Sequence, residues 1–398
     1  MRRKLIVTTL VAALASPVLS GCSVINLIVQ AAKKRSTNMN RWKVEKIELG
    51  VRGESVCARG SIQLAVFADA QHKKRAKKHK RMETWTDAEN RFGKMGFEEF
   101  VFTVKNGTLD PKTGMFSAND DMLATVDGFA FTAKYKKDPK LAGATVEYVP
   151  DYACIGVAGS NGPAGEDGEP GEDGDRGRSG EGGSEDTPGG DGKNGGSAGN
   201  GGDGKDGGAG PNIVAYATVV KTPHHDHLVL VKIEGDADDM VLLDPKGPMT
   251  IVARGGDGGD GGRGGEGGDG GSGLAGSPGG NGGDGGNGGI GGNGARGGPG
   301  GSIRLIYDAA FPELATAITL DASGGDAGDA GAIGEAGDGG FPGNGRGDGK
   351  SGAHGTDGSD GQGGNAGEPG QDGTTSAEAG DVSSAFAALP PNVQRVSG

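Results

Sequence analysis

The chain has 398 residues, of which 87 are glycine, 33% are hydrophobic and 5% are aromatic. That composition excludes one large conventional core and a polytopic membrane protein. Residues 22–155 hold 13 of the 18 aromatics and 23 Lys+Arg against 16 Asp+Glu, whereas residues 156–398 carry 14 against 37. A conventional core is therefore expected in the first part, and the acidic second part needs another source of order.

Residues 1–21 read as an export signal. Arg2, Arg3 and Lys4 form a positive start, and Leu5 to Leu14 supply an apolar run too short to span a bilayer. Leu19-Ser20-Gly21-Cys22 then resembles the lipobox of bacterial lipoproteins. The resemblance implies that Cys22 is the lipid-attachment residue and that the protein is exported and anchored to the cell envelope. Ser23 in place of aspartate implies the outer membrane. A cleaved signal with an incidental cysteine is the alternative. Residues 22–40 are expected as a tether. Cys57 and Cys154 are the remaining thiols. In an oxidising compartment they are expected to pair, with two unpaired buried thiols as the alternative.

Residues 41–155 are expected to form a β domain. Period-two patterning predicts strands over 46–51, 61–67, 100–105, 129–135 and 145–149. Asn106-Gly107, Asp110-Pro111-Lys112-Thr113-Gly114 and Lys137-Asp138-Pro139 supply the turns. The pattern suits a β-sandwich or a small barrel and does not choose between them. Between strands lie Lys73, Lys74, Arg75, Lys77, Lys78, Lys80 and Arg81. They are candidates for binding a polyanion: anionic lipid, an envelope polymer or the acidic half of the chain. The plainer reading is a solvated loop or short helix. Nucleic acid is not an expected partner of an exported protein.

Three runs then keep glycine in phase. Glycine fills every third position from Gly156 to Gly210 except at Asp186 and Ala198. It fills sixteen such positions from Gly255 to Gly300, and all but Arg346 from Gly325 to Gly373. Period three with one bare face is polyproline-II geometry. Three readings are open: an intrachain polyglycine-II bundle, a collagen-like homotrimer, and in-phase disorder. The predominantly Gly-Gly-X second run favours the bundle and a monomer. Each run is expected to fold back into short helices, with candidate reversals at Leu274-Ala275, Ser277-Pro278 and Ala295-Arg296. The predicted domains are thus run 1 at 156–210, a β connector at 211–254, run 2 at 255–301, a connector at 302–324, run 3 at 325–373 and a tail at 374–398. Short strands over 213–220, 228–233, 240–243, 249–252, 303–307 and 317–320 could make one small sheet, with 250–253 and 302–307 paired as a hairpin. Asp381 could cap a short helix through Leu389. The fold class is accordingly mainly β plus polyglycine-II: a β-sandwich-like domain followed by a left-handed bundle on a small β scaffold.

Gly-Gly-Ser-Ile-Arg-Leu-Ile-Tyr after a Gly-Gly-X run, and Ile-Thr-Leu-Asp-Ala-Ser-Gly-Gly, resemble uncharacterised glycine-rich, collagen-like surface lipoproteins of bacteria. The resemblance spans residues 156–373. More loosely, the runs are similar to polyglycine-II modules of phage adhesins and to a small glycine-rich antifreeze protein. Largely charged X positions disfavour ice binding.

His224, His225, Asp226 and His227 offer zinc- or copper-ligand chemistry, but they crowd one predicted turn. The many Asp residues suggest calcium, without the aliphatic repeat of a calcium β-roll. No cofactor is expected. No P-loop, nucleophile elbow or zincin pattern stands out. The expectation is a non-enzymatic, lipid-anchored envelope protein with a structural or adhesive display role. A calcium- or polyanion-binding module, a collagen-like trimeric stalk and an exported enzyme in the first domain are the alternatives.

Overall fold

A computed structural model describes residues 35–397. Cys22 and the signal segment lie outside the described residues. Among the described residues the chain is mainly β, with several sheets and almost no helix, and it divides into two compact units between Ile155 and Gly156.

The first unit contains β1 (Trp42–Val51), β2 (Val56–Cys57), β3 (Ser61–His72), β4 (Arg75–Glu83), β5 (Phe100–Lys105), β6 (Gly107–Leu109), β7 (Met115–Ala118), β8 (Phe129–Tyr135), β9 (Ala144–Tyr148) and β10 (Pro150–Asp151). β3 organises it. One edge of β3 pairs with β1, while its other edge pairs first with β7 and then with β4. β5, β8 and β9 form a separate antiparallel sheet. Alternation explains what is buried. Leu64, Val66, Ala68 and Ala70 face inward from β3, and Phe129, Phe131, Ala133 and Tyr135 from β8. The two sets meet in two core clusters, one around Trp42, Ile47, Met82 and Phe100, the other around Leu64, Phe116 and Phe131. Each fully buried large side chain contributes roughly 1.5–3 kcal/mol. Gly114 closes the β6–β7 turn at φ 68°, which only glycine adopts without strain.

The predicted strands need three corrections here. β1 and β3 are longer than expected. β2, β4, β6, β7 and β10 were not expected. Apart from the turn at Lys73-Lys74, the basic segment is neither loop nor helix but the strand β4.

The second unit contains β11 (Val157–Gly159), β12 (Asn212–Lys221), β13 (Leu228–Gly235), β14 (Asp239–Leu243), β15 (Met249–Val252), β16 (Ser302–Asp308), α1 (Leu314–Ala317), β17 (Ile318–Asp321), β18 (Thr374–Gly380) and β19 (Gln394–Arg395). They do not make one sheet. β11, β15 and β17 pair in parallel. β12, β16 and β18 pair in parallel in a second sheet, extended by β13 and β14 and joined by β19. β15 and β16 therefore belong to different sheets and are not a hairpin. Residues 374–380 are β18, an integral strand rather than the start of a tail. Residues 381–389 form turns in place of the expected helix; Asp381 accepts the Ser383 N–H at 2.8 Å, but no α-helix follows.

Each glycine run leaves one sheet, reverses and returns to the other. This creates six legs: I (160–183), II (189–210), III (254–275), IV (278–301), V (323–344) and VI (350–373). Legs I, III and V run parallel as a layer: Gly165 N–H donates to Asp257 C=O at 2.7 Å and Gly258 N–H to Asp326 C=O at 2.9 Å. Legs II, IV and VI form the other layer, with Gly192 N–H on Asn281 C=O at 2.8 Å and Gly282 N–H on Ala353 C=O at 2.9 Å. Antiparallel bonds tie the layers together, such as Gly262 N–H to Gly202 C=O at 2.8 Å and Gly286 N–H to Gly268 C=O at 2.8 Å. All recur every third residue. The second reversal falls at 275–278, as expected; Ala295 instead sits within leg IV, buried where a second glycine would stand.

Glycine content is highest in the legs with four neighbours but is not strictly graded: leg V touches three legs and yet carries Ala327, Ala330, Ile333 and Ala336 where a second glycine would stand. Legs I and VI touch two neighbours each and mostly need one glycine in three. Legs III and IV touch four, and two of every three residues are glycine almost throughout. Leg II touches three, and its second glycine series is broken by Lys193 and Lys205. A Cβ at Gly262 would fall on the carbonyl oxygen of Glu169. The second glycine of the Gly-Gly-X pattern thus marks a leg enclosed on both sides.

Candidate functional site

The third position of each triplet projects from the legs and carries most of the polar chemistry. Its own N–H faces the adjacent leg of the same layer and needs an acceptor. Asp and Asn supply it. Asp167 Oδ1 accepts the Asp260 N–H at 3.0 Å, and Asp260 Oδ1 accepts the Asp329 N–H at 2.7 Å. In the other layer Asn194 Oδ1 accepts the Asp284 N–H at 2.9 Å, and Asp284 Oδ1 accepts the Thr356 N–H at 2.8 Å. The Thr356 N–H, then its hydroxyl, hold the Asp284 carboxyl below the usual range. This role was missed in the sequence. The signal was the preference for Asp and Asn over Glu and Gln at those positions, because the shorter side chain matches the gap between legs.

One face of the first layer carries a polar groove. Arg176, Asp269, Asp338 and Phe341 line it. Arg176 pairs with Asp269 and, with the Asp338 N–H as a smaller cause, holds that carboxyl low. Phe341 is 69% exposed, and its ring meets His354 edge-on at 5.2 Å.

In the first unit, Cys57 and Cys154 form a disulfide. It fastens the parallel pair β2–β10, where Ser55 Oγ also donates to Asp151 Oδ2 at 2.5 Å. The basic residues divide into two groups. Arg81 pairs with Glu48 at 2.5 Å and Asp69 at 3.6 Å, and its guanidinium stacks over Phe67. Hydrogen bonds from Arg81, then Lys46, pull Glu48 down to about 2. Lys80 Nζ donates to the Gly93 carbonyl at 3.3 Å. Lys73, Lys74, Arg75, Lys77 and Lys78 are exposed, and none forms an ion pair among the described residues. β4 pairs only with β3 there, so its outer edge is open and the lysines discourage edge-to-edge pairing.

His224, His225, Asp226 and His227 occupy the β12–β13 turn. Thr222 N–H donates to His225 C=O at 2.8 Å, and His225 N–H donates back to Thr222 Oγ1 at 3.2 Å. Among the described residues, no group of three or more His, Cys, Asp or Glu is arranged to hold a metal ion. No described helix is long and apolar enough to cross a membrane.

Comparison with protein-family models, curated proteins and solved structures finds no match to this chain.

Proposed function

We propose that this is a non-catalytic, lipid-anchored protein of the bacterial cell envelope, with a structural or adhesive role played by a stiff glycine module held out from the membrane. On this reading residues 41–155 are a β-sandwich, because each core cluster draws on both sheets. The six legs are a monomeric polyglycine-II bundle. The observation that carries it is the period-three ladder of Gly N–H···O=C bonds closing within one chain. Such a module is ordered by its backbone and leaves its outer side chains free for contact, which suits display better than catalysis. A collagen-like trimer is disfavoured because the glycine N–H groups already have partners. Calcium is less favoured because one oxygen of Asp260 and of Asp284 already serves a backbone N–H of the neighbouring leg.

Mass spectrometry of the mature N-terminus, with protease shaving of intact cells, tests this function. An acylated Cys22 and release of the glycine module from cells support it; an unmodified chain free in solution overturns it. Sedimentation tests the assembly, since a trimer with one cooperative melt would replace the bundle. A second reading, binding of a polyanion, is favoured by the unpaired cations of β4.

A further inference from the structure

The unpaired cations lie beside Arg41, in the segment that leads into β1; further upstream that segment is held elsewhere, the Thr37 N–H donating to the Lys94 carbonyl at 2.7 Å. β1 begins at Trp42 and β3 ends at His72, and these residues are register partners with rings edge-on at 5.1 Å. Lys73 and Lys74 form the two-residue turn into β4, and the Lys73 N–H donates to the Arg41 carbonyl at 3.0 Å. The hairpin tip therefore lies beside the segment through which the chain arrives from its N-terminus. Arg35, Arg41 and Lys43 are exposed on that same stretch.

We propose that this tip, comprising Lys73, Lys74, Arg75, Lys77 and Lys78, rests on the anionic phospholipid headgroups of the membrane holding the N-terminal lipid. The proposal rests on the reading of Cys22 as the anchor. Charge and placement argue for it together. Further along β4 the positive charge of Arg81 is matched within the protein by Glu48 and Asp69. At the tip no described carboxylate does so. Between Cys22 and Arg35 the chain spans at most about 45 Å even fully extended, so an acylated Cys22 keeps this end near the headgroups. Each Lys or Arg at an anionic surface strengthens binding by about 1 kcal/mol, or roughly fivefold. The basic patch adds an electrostatic attachment to that of the lipid anchor.

The test uses the full mature chain with Cys22→Ser, so that binding does not depend on acylation. Cosedimentation with vesicles of phosphatidylglycerol and phosphatidylcholine is compared with pure phosphatidylcholine. Binding should need phosphatidylglycerol and fall steeply between about 50 and 500 mM salt, as the screening length shortens. Lys74→Glu/Lys78→Glu should weaken it by about 25-fold or more, with unchanged circular dichroism. Lys112→Glu/Lys140→Glu, the same charge change at other exposed positions, should leave it within about twofold. Equal binding of both vesicle types, or equal loss in both variants, overturns the proposal. So does capture by an anionic polysaccharide without vesicle binding, which would give the hairpin to a polymer. An unacylated native Cys22 would instead sink the anchor reading, whatever the vesicles show.

Discussion

Asp203 Oδ1 accepts the backbone N–H of Asn293 at 2.7 Å, and Asn293 repeats the act on Asn365 at 2.9 Å. The pair links leg II to leg IV and leg IV to leg VI. The side chain does the work of a carbonyl, so its shape matters more than its charge. Asp203→Asn should leave unfolding free energy nearly unchanged, whereas Asp203→Ala should lose about 0.5–1.5 kcal/mol, the net worth of a hydrogen bond. Urea unfolding of the two variants checks this. Equal losses would mean that charge, not acceptance, is what counts.

Glycine positions should separate sharply by enclosure. Gly262→Ala forces a methyl onto the Glu169 carbonyl in a leg with four neighbours. It should cost about 1–3 kcal/mol or more, as overpacking does. A methyl at Gly182 would meet nothing within 4 Å. Gly182→Ala should be neutral or gain about 0.4–1 kcal/mol by restricting the unfolded chain. Melting temperatures that move together would contradict the two-layer packing.

Removing the Cys57–Cys154 bond opens a loop with a sequence separation of 97. By the chain-entropy argument this costs about 4–5 kcal/mol. Cys57→Ser/Cys154→Ser should lower the denaturation midpoint of the first unit, followed by Trp42 and Trp85 fluorescence. No shift would show that β2–β10 holds without the bond.

Asp308 ends β16 and binds the last strand. Its Oδ2 accepts from Arg395 at 2.6 Å and from Thr218 at 2.8 Å. Burial opposes its ionisation, but Arg395 and Thr218 outweigh it and keep the carboxyl below its ordinary value. A depressed folded pKa stabilises fully above the unfolded value of about 3.9 and ceases to as pH falls through the lower folded value. Asp308→Asn should therefore destabilise by about 2–3 kcal/mol at pH 7 and by progressively less below pH ~4. Thermal melts at pH 7 and pH 3 measure it; an equal loss at both would assign the effect to shape.

Much of the strand content was legible because Phe129, Phe131, Ala133 and Tyr135 alternate with smaller or polar residues. The basic strand was not, since Lys-rich β4 has poor strand propensity and is held by β3. The reversal at 275–278 was visible as a local break in composition. The layering was not, because Gly165 bonds Asp257 across a distance in sequence that no local pattern encodes. The mistaken pairing of 250–253 with 302–307 followed from the usual adjacency of successive strands. The long hairpin breaks that habit by leaving from one sheet and landing on the other. Of the candidate sites, the lysine cluster was evident from composition; which of its members lie unpaired emerged only once β1 and β3 placed Glu48 and Asp69 beside Arg81.

The shared register also governs how such a protein can change in length. Extending one leg by a triplet leaves three residues without partners unless its return leg grows too. That hairpin would then overhang its neighbours unless they grew as well. The reach of the module is thus quantised: about six residues per hairpin, added to all the hairpins together, for each step of roughly 9 Å at about 3.1 Å per residue. Isolated insertions belong at the reversals, where 184–188 and 345–349 already depart from the ladder.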